Sequence, residues 1–255
     1  MYTLEVRDLT KHFGGIKALE DISFKVKEGA IMSVIGPNGA GKTTLFNCLT
    51  GMTRATRGSI LFAGNEIAKV PPHMVAASGI ARTFQNIRLF SEMTVMENAM
   101  VAQHTRVRYG LLSAILRGGG FRKKEQAIRE KVFEYLELVG LEDHADTLAG
   151  NLPYGSQRRL EIARALATEP KVVLLDEPTA GMNPFETLEI MELIRKVRAL
   201  GKTILLIEHD MSLVMGISER IVVLDHGIKI AEGSPEEVRN DPLVIEAYLG
   251  REAVH

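Results

Sequence analysis

The sequence predicts an α/β fold built on a parallel sheet, with a mainly helical segment inserted into it. Three observations predict this. The runs AIMSVIG (30–36), VVLLDE (172–177) and TILLIEH (203–209) are continuously apolar, rich in β-branched residues and bounded by charge or glycine, the pattern of strands covered on both faces. Amphipathic helical repeats alternate with these runs, as in chains whose parallel strands are joined by helices. From about Asn86 to Asn151 the strand pattern disappears and the chain reads as mostly helical, with a Gly118-Gly119-Gly120 breaker inside it.

Each element has a local reason. The opening MYTLEVRDLTK alternates apolar and charged residues and lacks the apolar core of a signal peptide. Residues 21–27, DISFKVK, put Ile22, Phe24 and Val26 on one face and Asp21, Ser23, Lys25 and Lys27 on the other. That period of two predicts a half-exposed, antiparallel strand. In 125–139, Ile128, Val132, Leu136 and Val139 recur at spacings of three and four, and in 187–198 Leu188, Met191, Ile194 and Val197 form an amphipathic stripe.

Composition narrows the class. The 255 residues are 45% hydrophobic and 25% charged, with Lys+Arg 31 against Asp+Glu 32. This suits one or two compact domains with a sizeable core and excludes a disordered, collagenous or disulfide-stapled chain. A net charge of −1 gives no reason to expect nucleic acid as a partner. The single cysteine, Cys48, cannot pair internally, which favours a reducing compartment. No apolar run approaches the roughly 18 residues of a membrane span. The expectation is a soluble, cytosolic protein. Charge is nevertheless uneven, because residues 104–131 hold eight Lys/Arg and two acids, interleaved with Leu111, Leu112, Ile115, Leu116 and Phe121. Such a segment is either a solvated helix face or a contact for anionic lipid headgroups or an acidic partner loop.

Gly36-Pro37-Asn38-Gly39-Ala40-Gly41-Lys42-Thr43 fits G-x-x-x-x-G-K-[ST], after an apolar strand and before the helix-like TTLFNCLTG. Triphosphate oxygens are held by backbone N–H groups, and glycines allow both the dihedrals and the close approach. The loop ends at a helix N-terminus, whose open amides and dipole favour an anion. Lys42 is placed to reach β- and γ-phosphates, and the Thr43 hydroxyl to ligand Mg²⁺. A nucleotide and Mg²⁺ are the expected ligands. At the end of VVLLDE, Asp176 can hold Mg²⁺, and Glu177 can polarise an attacking water. His209 ends another apolar run, where a structural role is the commoner one. Gln85, in RTFQN, carries little information by itself.

Taken in order, these pieces make the chain similar to the nucleotide-binding subunit of ATP-binding cassette transporters. The phosphate loop, Gln85, a helical insertion, NLPYGSQRRLEIARAL (151–166), VVLLDEPTAGMNP (172–184) and LLIEHD (205–210) follow one another over nearly the whole chain. NIRLFSEMTVMENAMVAQH (86–104), DEPTAGMNP and VIEAYLG (244–250) resemble most the subunits that serve branched-chain amino acid importers.

The resemblance implies a P-loop NTPase domain over 1–255. It would combine a RecA-like parallel core and an antiparallel N-terminal β subdomain in 1–85 and 152–235. A helical subdomain would occupy 86–151 and a C-terminal helical tail 236–255. It implies that Phe13 stacks on adenine and that Thr44 joins residues 36–43 around the phosphates. Gln85 would sense Mg²⁺ and the attacking water, and His209 would contact the γ-phosphate and link it to Glu177. Leu152, Pro153, Tyr154, Gly155, Ser156 and Asn183 would meet ATP held by a second ATPase subunit. The expected partners are that subunit in a head-to-tail pair, transmembrane permease subunits and, indirectly, a periplasmic binding protein. The chain would then lie peripherally on the cytoplasmic face of the membrane.

Two departures bear on activity. LSGGQ becomes Leu152-Pro153-Tyr154-Gly155-Ser156, so proline replaces a serine that donates to the γ-phosphate, and Ser156 offers a hydroxyl three positions later. Asn183 stands where Asp is usual. Both predict weak hydrolysis by a homodimer and favour a heterodimer. Rival readings have less support. A soluble P-loop kinase needs an acceptor pocket and an Arg-rich lid, a GTPase needs an NKxD element, and ATPases acting on DNA or ribosomes usually carry coiled-coil arms or two cassettes. Urea and amide importers share much of the same engine.

Overall fold

The computed structural model describes residues 1–103 and 119–249. Most of the basic segment 104–131 lies outside them; of its eight cations, only the Arg129 and Lys131 side chains are described. In chain order the elements are β1 (Tyr2–Phe13), β2 (Ile16–Lys27), β3 (Ile31–Ile35), α1 (Lys42–Leu49), β4 (Arg57–Phe62), β5 (Asn65–Glu66), α2 (Pro72–Ser78) and β6 (Ile80–Arg82). Then come α3 (Val95–Gln103), α4 (Gly119–Leu138), α5 (Tyr154–Ala167), β7 (Val172–Asp176), α6 (Pro184–Ala199) and β8 (Thr203–Ile207). The last are α7 (Met211–Ile217), β9 (Arg220–Asp225), β10 (Ile228–Gly233), α8 (Pro235–Arg239) and α9 (Pro242–Leu249). Contacts divide the chain into two compact units, Met1–Arg82 with Lys171–His255, and Thr83–Pro170.

The first unit holds two sheets. The smaller, in the order β2-β1-β4-β5, is antiparallel throughout. The larger, in the order β10-β9-β3-β8-β7-β6, is parallel except for its edge strand β10. Every residue of β3, β7 and β8 is buried, which is why these strands read as unbroken apolar runs. The carboxyl ends of β3, β8 and β7, neighbours in that order, gather the loops that begin at 36, 208 and 177. That edge of an open parallel sheet is where ligands bind.

Two elements differ from the simple patterns. β2 begins at Ile16, five residues before the DISFKVK alternation. Its pairing with β1 jumps from Leu9↔Ile22 to Lys11↔Leu19, a bulge centred on Asp21, whose φ is 51°. The extra residue resets the period of two, so the buried Leu19 and Ile22 stand three apart. In α6 the covered face is Ile190, Met191, Leu193, Ile194 and Val197, while Leu188 is 62% exposed. The apolar stripe therefore starts at Ile190 rather than Leu188.

In the second unit α3, α4 and α5 pack against one another through Val95, Met96 and Ala99, Val132, Leu136 and Val139, and Leu160 and Ala163, all buried. Asn98 is fully buried and orders the entry to α3: its amide donates to the carbonyls of Phe90 (2.9 Å) and Thr94 (3.0 Å), and its oxygen accepts from the Phe90 N–H (2.9 Å). No helix among the described residues is long and apolar enough to cross a membrane.

Candidate active site

The phosphate loop follows β3 and is shaped by its glycines. Gly36, Gly39 and Gly41 have φ of 148°, 84° and 101°. A Cβ on Gly36 would sit 2.0 Å from the Leu224 carbonyl oxygen, and one on Gly41 would sit 2.6 Å from that of Ala18. A Cβ on Gly39 would meet nothing within 4 Å. Two of the three glycines are thus demanded by space as well as by dihedral, and the third by dihedral alone. α1 starts at Lys42 with no side-chain cap and no acid in its first turn, so nothing there competes with an anion for the helix terminus. The Thr43 and Thr44 side chains stand in that first turn.

The buried Lys42 ammonium donates to the carbonyls of Gly36 (2.7 Å) and Pro37 (2.9 Å). Burial pushes its pKa below the usual lysine value, and the carboxylates of Glu177 and Asp176 pull it back up. Both carboxylates thus act electrostatically on the lysine of the phosphate loop. Phe13, at the β1–β2 turn, is 48% exposed and carries the Lys11 ammonium 4.5 Å from its ring centre. Its ring is outside the core and partly open to a stacking partner.

Asp176 ends β7 and is almost wholly buried, with Oδ2 accepting from Arg82 Nη2 at 2.7 Å. Arg82 also donates to Asn47 Oδ1 (2.7 Å) and lies 5.5 Å from the Phe46 ring centre, which ties the carboxylate to α1. Glu177 follows in the left-handed region, φ 48°. A residue before proline ordinarily takes the extended region, so this conformation is imposed by its surroundings. Its N–H donates to the Ile207 carbonyl (2.9 Å), and its Oε1 lies 2.6 Å from His209 Nε2. Such strain belongs to functional sites and costs about 1–3 kcal/mol.

Glu208, between β8 and His209, is 3% exposed. Its Oε1 accepts from the Thr179 N–H (2.9 Å) and hydroxyl (2.5 Å), and its Oε2 from the N–H groups of His209 (2.8 Å) and Asp210 (3.3 Å). Asp210 in turn caps α7 through Ser212 N and Leu213 N. Neither Glu208 nor Arg82 was marked by local pattern, because each acts through contacts far away in the chain.

The remaining expected contacts lie elsewhere. Asn183 caps α6, accepting at Oδ1 from Phe185 N (2.9 Å) and Glu186 N (3.0 Å). Asn therefore does here what Asp would do. Gln85 and residues 152–156 belong to the second unit. There Arg158, fully buried on α5, donates to the carbonyls of Phe84 (2.6 Å) and Gln85 (2.7 Å) and to Glu161 Oε2 (2.9 Å), while Glu161 Oε1 accepts from the Phe84 N–H (3.2 Å). Arg158 also donates to the Tyr154 hydroxyl (3.2 Å), Gln157 to the Leu152 carbonyl (2.9 Å) and Arg159 to Ser156 Oγ (3.1 Å). Pro153 is the cap residue of α5, and that helix has no side-chain cap and no acid in its first turn. Burial pushes the Glu161 pKa up, and Arg158 opposes the shift.

No group of three or more His, Cys, Asp or Glu suited to a metal occurs among the described residues. The hydroxyl of Thr43 and the carboxylate of Asp176 are hard oxygen donors. They fit Mg²⁺, which takes one or two protein oxygens and completes its shell with phosphate and water.

At the C-terminal edge, α9 brings Tyr248 to the phosphate loop. Burial pushes its phenol up, while a hydrogen bond with the Gly36 backbone pulls it down. A cavity of about 470 Å³ lies between Pro37, Asn38 and Ala40 on the loop side and Leu243 and Glu246 of α9.

The chain is similar to known proteins over almost its full length. The family model described as ABC transporter matches residues 19–180, and that described as branched-chain amino acid ATP-binding cassette transporter matches residues 229–254. The chain is 50% identical over 248 residues, 97% of each chain, to the high-affinity branched-chain amino acid transport ATP-binding protein LivG of Salmonella typhimurium. It superposes on a crystal structure of a nucleotide-free ATP-binding cassette from an ABC transporter with a TM-score of 0.86, at 36% identity, covering 98% of this chain and 100% of that one. A dimeric post-hydrolysis cassette bound to ADP and Pi gives a TM-score of 0.76 at 27% identity, covering 91% and 98%. With a phosphate loop, an acid–histidine pair and this likeness over almost its full length, the chain belongs to the ABC transporter family, as an ATP-binding, ATP-hydrolysing cassette.

Proposed function

We propose that the chain powers a membrane importer of branched-chain amino acids from the cytoplasmic face, paired with a second ATPase subunit and docked on permease subunits. A periplasmic binding protein would deliver the cargo. The observation that carries the chemistry is the Glu177–His209 contact of 2.6 Å beside carboxylates close enough to act on Lys42. The cargo class rests on the 50% identity to LivG.

In this reading the N–H groups of residues 38–44 and the Lys42 ammonium grip the triphosphate, the ammonium exchanging its carbonyl partners at Gly36 and Pro37 for phosphate oxygens. Phe13 stacks on the adenine. Thr43 and Asp176 would hold Mg²⁺, which would supply positive charge to the phosphates. Glu177 orients and polarises the attacking water, and His209 holds Glu177 in line through Nε2 while reaching toward the γ-phosphate. Residues 152–156 and Asn183 would face ATP bound by the second subunit. Pro153 removes a donor there, which favours a partner with a fuller signature.

The test is ATPase activity of the purified membrane complex in proteoliposomes with its binding protein. Leucine, isoleucine and valine should stimulate hydrolysis and urea should not. Glu177→Gln in this chain should lower hydrolysis by about 10²-fold while ATP still binds. Stimulation by urea alone would overturn the cargo, and full activity of the Glu177 variant would overturn the assignment of the base.

A further inference from the structure

Glu208 stands beside the pair assigned above without touching either of its reacting side chains. Its carboxylate is nearly closed to water and takes four donors, two from Thr179 and one each from His209 and Asp210. Thr179 is two residues beyond Glu177, and His209 is the next residue after Glu208. One carboxylate therefore staples the loop that carries Glu177 to the loop that carries His209. A second staple, the Glu177 N–H donating to the Ile207 carbonyl, lies on the strand side. The Glu177–His209 contact is held between the two.

We infer that Glu208 is a positioning residue for ATP hydrolysis, setting the reach between Glu177 and His209 through Thr179. The chemistry requires an acceptor on both sides of the group. An ionised carboxylate offers four lone-pair sites and no proton, whereas a glutamine of the same shape turns one end into two donors. Whichever way that amide lies, its NH₂ faces a backbone N–H, either that of Thr179 or those of His209 and Asp210. One staple must open, and left-handed Glu177, φ 48°, loses the frame that holds it there. The phosphate loop lies on β3, so nucleotide grip is spared.

This inference rests on the roles given to Glu177 and His209, and the experiment separates the two. In the full chain, the ¹⁵N-edited imidazole signals of the seven histidines are recorded, with His209 assigned by the signal lost in His209→Gln. Glu177→Gln should shift the His209 signals, and Glu208→Gln should shift them as far. Single-turnover ATP hydrolysis by the purified membrane complex carrying Glu208→Gln in this chain should fall at least tenfold with the ATP Kd changed less than threefold. In the His209→Gln background the Glu208 substitution should cost less than twofold more. Thr179→Val should weaken hydrolysis, and Thr179→Ser should restore it. If Glu208→Gln leaves the His209 signals in place, or if its cost is fully additive with that of His209→Gln, the inference is overturned although the reading of the site stands. If Glu177→Gln and His209→Gln both hydrolyse ATP normally, the reading falls and the inference with it.

Discussion

A methyl group separates two very different substitutions in the phosphate loop. On Gly36 it would meet the Leu224 carbonyl oxygen at 2.0 Å, and on Gly39 it would meet nothing within 4 Å. Gly36→Ala should destabilise the chain by about 2–5 kcal/mol, combining backbone strain with overpacking, and should weaken ATP binding. Gly39→Ala should cost only the dihedral strain, about 1–2 kcal/mol. Urea unfolding of the two variants checks the difference. Lys42, Thr43, Asp176 and Glu177 were legible because their chemistry needs fixed neighbours in sequence. Arg82 and Glu208 were not. The first acts on Asp176 from 94 residues away and the second on Thr179 from 29, and such pairings leave no local trace.

At the scale of elements, the buried strands of the large sheet announced themselves, since covering both faces leaves only Ser33, Asp176 and Thr203 as polar residues in β3, β7 and β8. The antiparallel sheet was half legible. One bulge at Asp21 shifts the phase of β2, and β5 and β6 have two and three residues, too few to show a period. α5 hides its role differently, because its most buried large side chain is Arg158. A guanidinium inside a helical unit reads as surface until its partners are seen. Arg158→Met would leave the Glu161 carboxylate buried without its guanidinium partner and would remove the hydrogen bonds that Arg158 gives the Phe84 and Gln85 carbonyls. It should destabilise by about 3–5 kcal/mol, and adding Glu161→Leu should recover part of the loss. Denaturant unfolding of the single and double variants decides this.

For the whole molecule, the chain enters the second unit at Arg82–Thr83 and returns at Pro170–Lys171, so the first unit is assembled from both ends of the sequence. A ligand that grips residues 36–44 is therefore stabilising a unit whose halves lie far apart along the chain. ATP with Mg²⁺ at one hundred times its Kd contributes about 2.7 kcal/mol. For a chain of this size that raises Tm by about 5–10 °C. Lys42→Ala should abolish most of the rise in a thermal scan. The net charge of −1 is likewise a property of the sum and not of the parts, since the cations concentrate in 104–131.

The lone thiol has a practical meaning for following such a molecule at work. Cys48 lies in α1, 1% exposed, and burial pushes its pKa up to about 11. At pH 8 about one such group in a thousand is thiolate, the only form that attacks a maleimide or a disulfide. New cysteines placed on exposed positions of the two units can carry dyes or spin labels while the native one stays silent. The distance between the units, with and without nucleotide, can then be measured in the otherwise unaltered chain.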